Sequence, residues 1–187
     1  MSGTIIAVII GVVVLVALIS YIVNIYNRLV MLNKNIEKSF ANIDVLLKQR
    51  ADEIPNLIKV VKQSMGYEQE MLEKLTRLRT EYLSANSIDD KVKIGNEMTS
   101  ALKTVFAVSE NYPDLKANNS LLSLQERVSQ LEDHISDRRE FYNESINMYN
   151  IGILEFPNLI FAKLMGYKEK PMLEITAKEK EYNGIQF

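Results

Sequence analysis

The sequence predicts an all-α protein: an N-terminal transmembrane helix followed by an antiparallel up-and-down bundle of three to four long helices. Three observations carry that expectation. First, Ile5 to Val23 is a run of 19 residues without a charge, 14 of them Ile, Leu or Val. Second, all 22 Lys and Arg and all 24 Asp and Glu lie after Asn27, so an uncharged segment meets a charge-dense one at a single point. Third, apolar residues in the charged part recur at helical spacing, in a chain with seven Gly, four Pro and no Trp. The expected organisation is an anchor over residues 1–26, a bundle over 27–167 and a mobile charged tail over 168–187.

The apolar run comes first. At 1.5 Å per residue it is about 28 Å long as a helix, close to the hydrocarbon thickness of about 30 Å. Its β-branched residues favour strands in water, but in hydrocarbon a lone segment satisfies its backbone only as a helix. A cleaved signal peptide would carry a basic start and a small-residue cleavage site. Met1 to Thr4 hold no Lys or Arg, and no A-x-A pair follows the run. Tyr21 and Tyr26 sit where the helix leaves the hydrocarbon. Arg28, Lys34 and Lys38 follow on that side only, which places the N-terminus outside and the bundle in the cytoplasm, with the chain a single-pass cell-membrane protein.

Beyond the anchor one apolar stripe continues through Leu29, Leu32, Ile36, Phe40, Ile43, Leu47, Arg50, Ile54, Ile58, Val61 and Met65. Pro55 interrupts it without breaking its phase, which predicts a kink, or else a division of the helix, with Gly66 the next candidate break. Leu72, Leu75, Leu78 and Tyr82 form a second stripe. Ser87 and Asp90 have capping-box spacing and predict a new helix, with Val92, Met98, Leu102, Val105 and Phe106 as its apolar side. It ends near Asn111, where NYPDLKANN reads as a turn or loop. Asn119, Ser120 and Ser123 compete to cap the next helix, whose stripe is Leu121, Leu124, Val128, Leu131, Ile135, Arg138, Tyr142, Ser145 and Tyr149. This near-heptad spacing predicts lengthwise packing on the first helix. Pro157 closes that helix, and Asn158 to Tyr167 is a short apolar piece that caps the bundle or touches lipid or a partner.

Four segments carry a family resemblance: YNRLV at Tyr26 to Val30, NIDVLLKQRADEIPNL at Asn42 to Leu57, ENYPDLKAN at Glu110 to Asn118, and DRREFYNESINMYN at Asp137 to Asn150, with FP and LMGY after them. In this order and spacing the chain resembles the LemA family of bacterial membrane proteins over Tyr26 to Tyr167. Leu46 and Gln49 depart from residue types more usual there. The resemblance implies a single anchor with an antiparallel helical bundle, and no known catalytic activity.

The residues themselves offer little chemistry. Without cysteine there is no disulfide, thiolate metal site or thiol nucleophile. A dimetal bundle site needs two Glu-x-x-His motifs; His134 is the only histidine, and Leu131 stands where its glutamate would be. No nucleotide-binding glycine motif, HExxH or GxSxG is present. The net charge of −2 lacks the basic excess of a nucleic-acid binder. No cofactor, metal, nucleic acid or small-molecule substrate is expected.

Polar residues on apolar stripes are the candidates for structural or docking roles. Arg50 and Arg138 fall where aliphatic side chains would pack better. Their stems pack and their heads pair with carboxylates such as Asp52, Glu53 or Asp137, or else they form a polar docking site. Tyr142, Asn143 and Tyr149, with Asn150, are read the same way, packing first and recognition second, and Pro55 joins them as the kink. The expected function is a non-enzymatic scaffold or adaptor at the membrane, bound to the bilayer and to itself or other membrane proteins. A membrane-remodelling oligomer and an accessory subunit of a membrane enzyme are the alternatives.

Overall fold

The computed structural model describes residues 2–62 and 69–173. Six helices account for most of them: α1 (Ser2–Val61), α2 (Gln69–Ser84), α3 (Ile88–Ser109), α4 (Pro113–Lys116), α5 (Asn119–Leu154) and α6 (Asn158–Leu164). There is no strand among the described residues. Packing divides the chain into one unit made of Met1–Ser39 with Phe141–Phe187, and another made of Phe40–Glu140. Both boundaries fall inside helices, where no change of composition marks them.

The Phe40–Glu140 unit is an up-and-down arrangement of four helical segments. Its core takes Ile43, Leu47, Ile54 and Leu57 from α1, Leu75 and Leu78 from α2, Met98, Leu102 and Val105 from α3, and Val128 and Ile135 from α5. Cross-helix bonds fix the directions. Tyr82 and Arg79 of α2 reach back to Asp44 and Ala51 of α1, so α2 is antiparallel to α1. Lys91 meets Asp44 and Arg50 meets Gly95, so α3 runs with α1. Lys103 pairs with Glu132, Arg139 with Asn96 and Arg127 with Glu53, which makes α5 antiparallel to both. The Leu72, Leu75, Leu78 and Tyr82 stripe is buried throughout.

Helix α1 runs through Pro55, so the chain is not divided there. Pro55 is exposed, and the helix ends at Val61 without waiting for Gly66, which lies outside the described residues together with Met65. Ser87 caps α3 as its spacing predicts: the Asp90 amide donates to Ser87 Oγ at 3.0 Å, while the return bond runs side chain to side chain, from Ser87 Oγ to the Asp90 carboxylate at 2.6 Å. The cap of α5 is different from the three expected. Asn118 Oδ1 accepts the amides of Ser120 and Leu121, because the single turn of α4, opened by Pro113, ends the loop one residue earlier.

In the other unit α1 and α5 lie antiparallel at close range. Arg28 pairs with Glu155 at 3.1 Å, and Ser39 Oγ and Ser145 Oγ are 2.7 Å apart. Between these rungs a Cβ placed on Gly152 would overlap Leu32 Cδ1, so any larger residue there has to displace the Leu32 side chain. Ile25, Leu29, Ile36, Tyr142, Ile146, Tyr149 and Ile153 form the core. Helix α6 folds back onto it through buried Asn158 and Ala162. It ends in a Schellman motif: the Tyr167 amide bonds the Ala162 carbonyl and the Gly166 amide that of Lys163, with Gly166 at φ +71° as that turn requires.

Every large apolar residue from Ile5 to Val23 is exposed. Among the described residues α1 is the one helix long and apolar enough to cross a membrane, its most apolar stretch having mean hydropathy 3.2 with none of it buried.

Candidate functional site

The Met1–Ser39 with Phe141–Phe187 unit holds an asparagine ladder on α5. Asn143 and Asn150 are seven residues apart, hence on one face and separated by about 10.5 Å of helix rise. Three residues of extended chain span about 10 Å, so two residues three apart on such a chain come into register with them. Residues 168–173 are that chain. Asn150 Oδ1 accepts the Lys170 amide at 2.9 Å while Asn150 Nδ2 donates to the Lys170 carbonyl at 2.9 Å. Asn143 treats Leu173 identically, at 2.8 Å and 3.0 Å. A carboxamide presents one donor and one acceptor side by side, so it pairs with a residue as a neighbouring strand would. The charged tail expected from residue 168 therefore begins as a held strap; its KEKEYNG run lies outside the described residues.

Tyr149 lies beneath this strap. It is 1% exposed, its ring centroid is 5.9 Å from that of Tyr167, and Lys170 Nζ sits 5.1 Å above it while donating to Asn33 Oδ1. Burial, helped by the neighbouring Tyr167, raises the Tyr149 phenol above its ordinary value, so it stays neutral.

The second constellation, in the Phe40–Glu140 unit, centres on Arg50. Its side chain is 1% exposed, donates from Nη1 to Thr99 Oγ1 and from Nη2 to the Gly95 carbonyl at 2.7 Å, and leaves Nε without a partner. None of the anticipated carboxylates pairs with it. Glu53 is engaged by Arg127 at 2.7 Å and by Asn56, and Asp52 faces Arg79 at 4.0 Å. Burial, with the nearby charge of Arg139, lowers the Arg50 pKa to about 10, against a partial offset from Glu132. Close by in sequence, Asp44 accepts Lys91 Nζ at 2.7 Å and Tyr82 Oη at 2.6 Å. Burial pushes the Asp44 carboxyl up, but these two bonds and the charges of Lys91 and Lys48 outweigh it and hold the group below its usual range. Burial and Asp44 push Tyr82 well above the usual phenol value.

Both shifts lead away from proton transfer near neutrality, since Asp44 is kept charged and Tyr82 kept neutral. One open cleft of this unit, about 700 Å³, is bordered by Glu53, Asn56, Lys59, Asn118, Ser123 and Arg127. A second of about 280 Å³ is bordered by Thr99, Lys103, Phe106 and Glu132. No group of three carboxylate or histidine side chains is placed to hold a metal among the described residues.

The structure gathers Asn143 and Tyr149 at the strap, with Tyr142 buried in the same unit. Arg50 and Pro55 lie in the other unit, one buried and one exposed. Arg138 is exposed, and the half-buried arginine is its neighbour Arg139, bonded to Asn96. The sequence left Asp44, Lys91 and Gly152 unmarked and singled out Tyr82 only as a stripe residue. His134 is exposed.

The profile of the LemA family matches residues 39–187. Among curated proteins the chain is similar to magnetosome protein MamQ 2 of Paramagnetospirillum magneticum, 24% identical over 86% of this chain and 68% of the relative. It is also similar to magnetosome protein MamQ of Magnetospirillum gryphiswaldense, 22% identical over 82% of this chain and 66% of that one.

Proposed function

The chain belongs to the LemA family, and from that premise we propose that it is a membrane-anchored, non-enzymatic helical scaffold that associates with itself or with other membrane proteins. The observation that carries this reading is the contrast along α1: Ile5 to Val23 are exposed without exception, while Ile25 and Leu29 directly after them are buried. Nineteen uncharged, mostly apolar residues with exposed side chains call for lipid, and the same unbroken helix then becomes part of a packed unit. The chain crosses the cell membrane once, and Arg28, Lys34 and Lys38 put the helical units in the cytoplasm.

A scaffold rather than an enzyme is favoured by the chemistry of the polar groups. The shifts of Asp44, Tyr82 and Tyr149 move each group further from neutrality, so none of the three is poised to exchange a proton near pH 7. Association is supported by Phe141, Met148 and Ile151, which point outward from one side of α5. The naming of relatives as magnetosome proteins agrees with a role tied to a membrane-associated assembly.

The full-length protein, mixed with lipid vesicles, is expected to float with them through a density gradient, to resist alkaline carbonate and to be released by detergent. Crosslinking in intact cells through photoreactive residues at positions 141 and 148 is expected to trap discrete protein adducts from the cytoplasmic side. A carbonate-soluble protein would remove the anchor, and an absence of adducts would remove the scaffold.

A further inference from the structure

Resting on the anchor reading, we infer that the loop carrying α6 is a second lipid-contacting element, laid into the headgroup layer of the bilayer that holds Ile5–Val23. The position of this loop follows from the rungs between α1 and α5. Leu32 faces Gly152, and Arg28 pairs with Glu155. Arg28 is five residues past Val23, about 7.5 Å along the helix. The headgroup layer occupies about 5–8 Å on each side of the hydrocarbon. The Arg28–Glu155 pair is therefore at its outer edge, and α5 ends at Leu154 just before it.

The chain turns back there, with the Leu159 amide on the Glu155 carbonyl and Asn158 Nδ2 on that of Gly152, so the turn at Phe156 and Pro157 is the part of this hairpin nearest the bilayer. Ile25, only two residues past Val23, is 6% exposed, so protein covers α1 almost to the hydrocarbon boundary. The segment next in line beyond Glu155 is the α6 loop, which returns by Tyr167 to stack on Tyr149.

The faces of that loop are sorted. Asn158 and Ala162 turn inward and are buried, with Asn158 Nδ2 donating to the Gly152 carbonyl. Phe156 is 82% exposed, Leu164 80% and Ile160 51%, and Lys163 is exposed beside them. Large apolar side chains with an adjacent lysine are the pattern of a segment lying in an interface, with the ammonium reaching the lipid phosphates. A bilayer is the occupant that α1 brings to this face by construction, whatever else is present. Capping the core and touching lipid are then the two sides of one short helix.

The chain has no tryptophan, so single substitutions give unambiguous probes. Phe156→Trp, Leu164→Trp and, as a control 14 residues before Glu155 along α5, Phe141→Trp are made in the full-length protein and reconstituted in phosphatidylcholine vesicles. Nitroxide-labelled lipids report depth. Tryptophans at 156 and 164 are expected to be quenched about threefold more than that at 141, and more by a label near the headgroup than by one deep in the acyl chain. All three positions are exposed, so helical content should be unchanged; if one of the two loop variants misfolds, the other carries the reading. If the vesicles float the protein but quenching at 156 and 164 equals that at 141, the loop is off the membrane and the inference fails with the anchor intact. A protein that does not float overturns both.

Discussion

Replacing Arg50 by methionine should leave the protein as stable as before or make it more so, an unusual expectation for a fully buried position. The guanidinium is 1% exposed and no carboxylate touches it. A fall of its pKa from 12.5 to about 10 corresponds to about 3 kcal/mol of charge burial, at about 1.4 kcal/mol per pH unit. Its bonds to Thr99 and Gly95 return part of that cost. Their acceptors are not stranded when the head is removed, because Thr99 Oγ1 itself donates to the Gly95 carbonyl at 3.2 Å. Methionine keeps the stem's packing, so the net change should lie between zero and about 3 kcal/mol of stabilisation. Arg50→Ala, which removes the same charge but opens a cavity, should be about 2–4 kcal/mol less stable than the methionine variant. Denaturant unfolding of the full-length protein in mild detergent, followed by circular dichroism, gives both values. The pH dependence adds a signature. Native Arg50 holds its proton less tightly than the unfolded chain does, so stability from this group is lost as pH falls through 10 and returns toward 12.5. The advantage of the methionine variant should therefore narrow as pH is raised above 10. A methionine variant less stable than wild type by more than about 2 kcal/mol would refute the reasoning.

Other sites offer sharper qualitative outcomes. Asn150→Asp keeps the acceptor for the Lys170 amide but sets a carboxylate against the Lys170 carbonyl, so tryptic cleavage after Lys168 should quicken about tenfold; Leu173→Ala, which leaves the backbone grip intact, should change it little. Asp44→Asn should cost about 1 kcal/mol at pH 7, from the bonds to Lys91 and Tyr82. Because the native carboxyl titrates below its unfolded value, that difference should vanish as acid titration passes below 3.8, and a pH-independent difference would argue for packing alone. Gly152→Ala should destabilise through overlap with Leu32, by about 1 kcal/mol after the gain in helix propensity. In a Leu32→Ala background the same change should become stabilising, and equal effects in both backgrounds would exclude the close contact.

Much of the helical plan was legible because local chemistry determines it. Ser87 with Asp90, and the stripe from Leu72 to Tyr82, needed nothing beyond their own segments. Where two neighbouring residues competed, sequence spacing chose wrongly. Stepping from Ile135 by three gives Arg138, whereas the inward-facing side steps by four and three through half-buried Arg139 to buried Tyr142, and then on to Ile146 and Ile153, which the stripe omitted. The α5 cap was missed because Asn118, Asn119, Ser120 and Ser123 all carry suitable oxygens, and the turn before them decides among them. The Asp44, Tyr82 and Lys91 cluster joins residues 38 and 47 positions apart, which no local pattern reveals. The ladder was half visible. Asn143 and Asn150 stand out in the sequence at helical heptad spacing, but the chain they hold carries no motif, because amides that bind backbone impose none on its side chains.

The absence of any joint between Val23 and Ile25 bears on how such a protein would sense its surroundings. In the anchored state a bilayer thinner than the apolar run forces that run to lean. A flexible hinge would absorb the lean, whereas here the helix carries it straight into Leu29, Leu32 and Ile36. The inclination of the whole first unit is thereby set by lipid thickness, and membranes of different composition would present the strap and its neighbours to the surrounding solution at different angles.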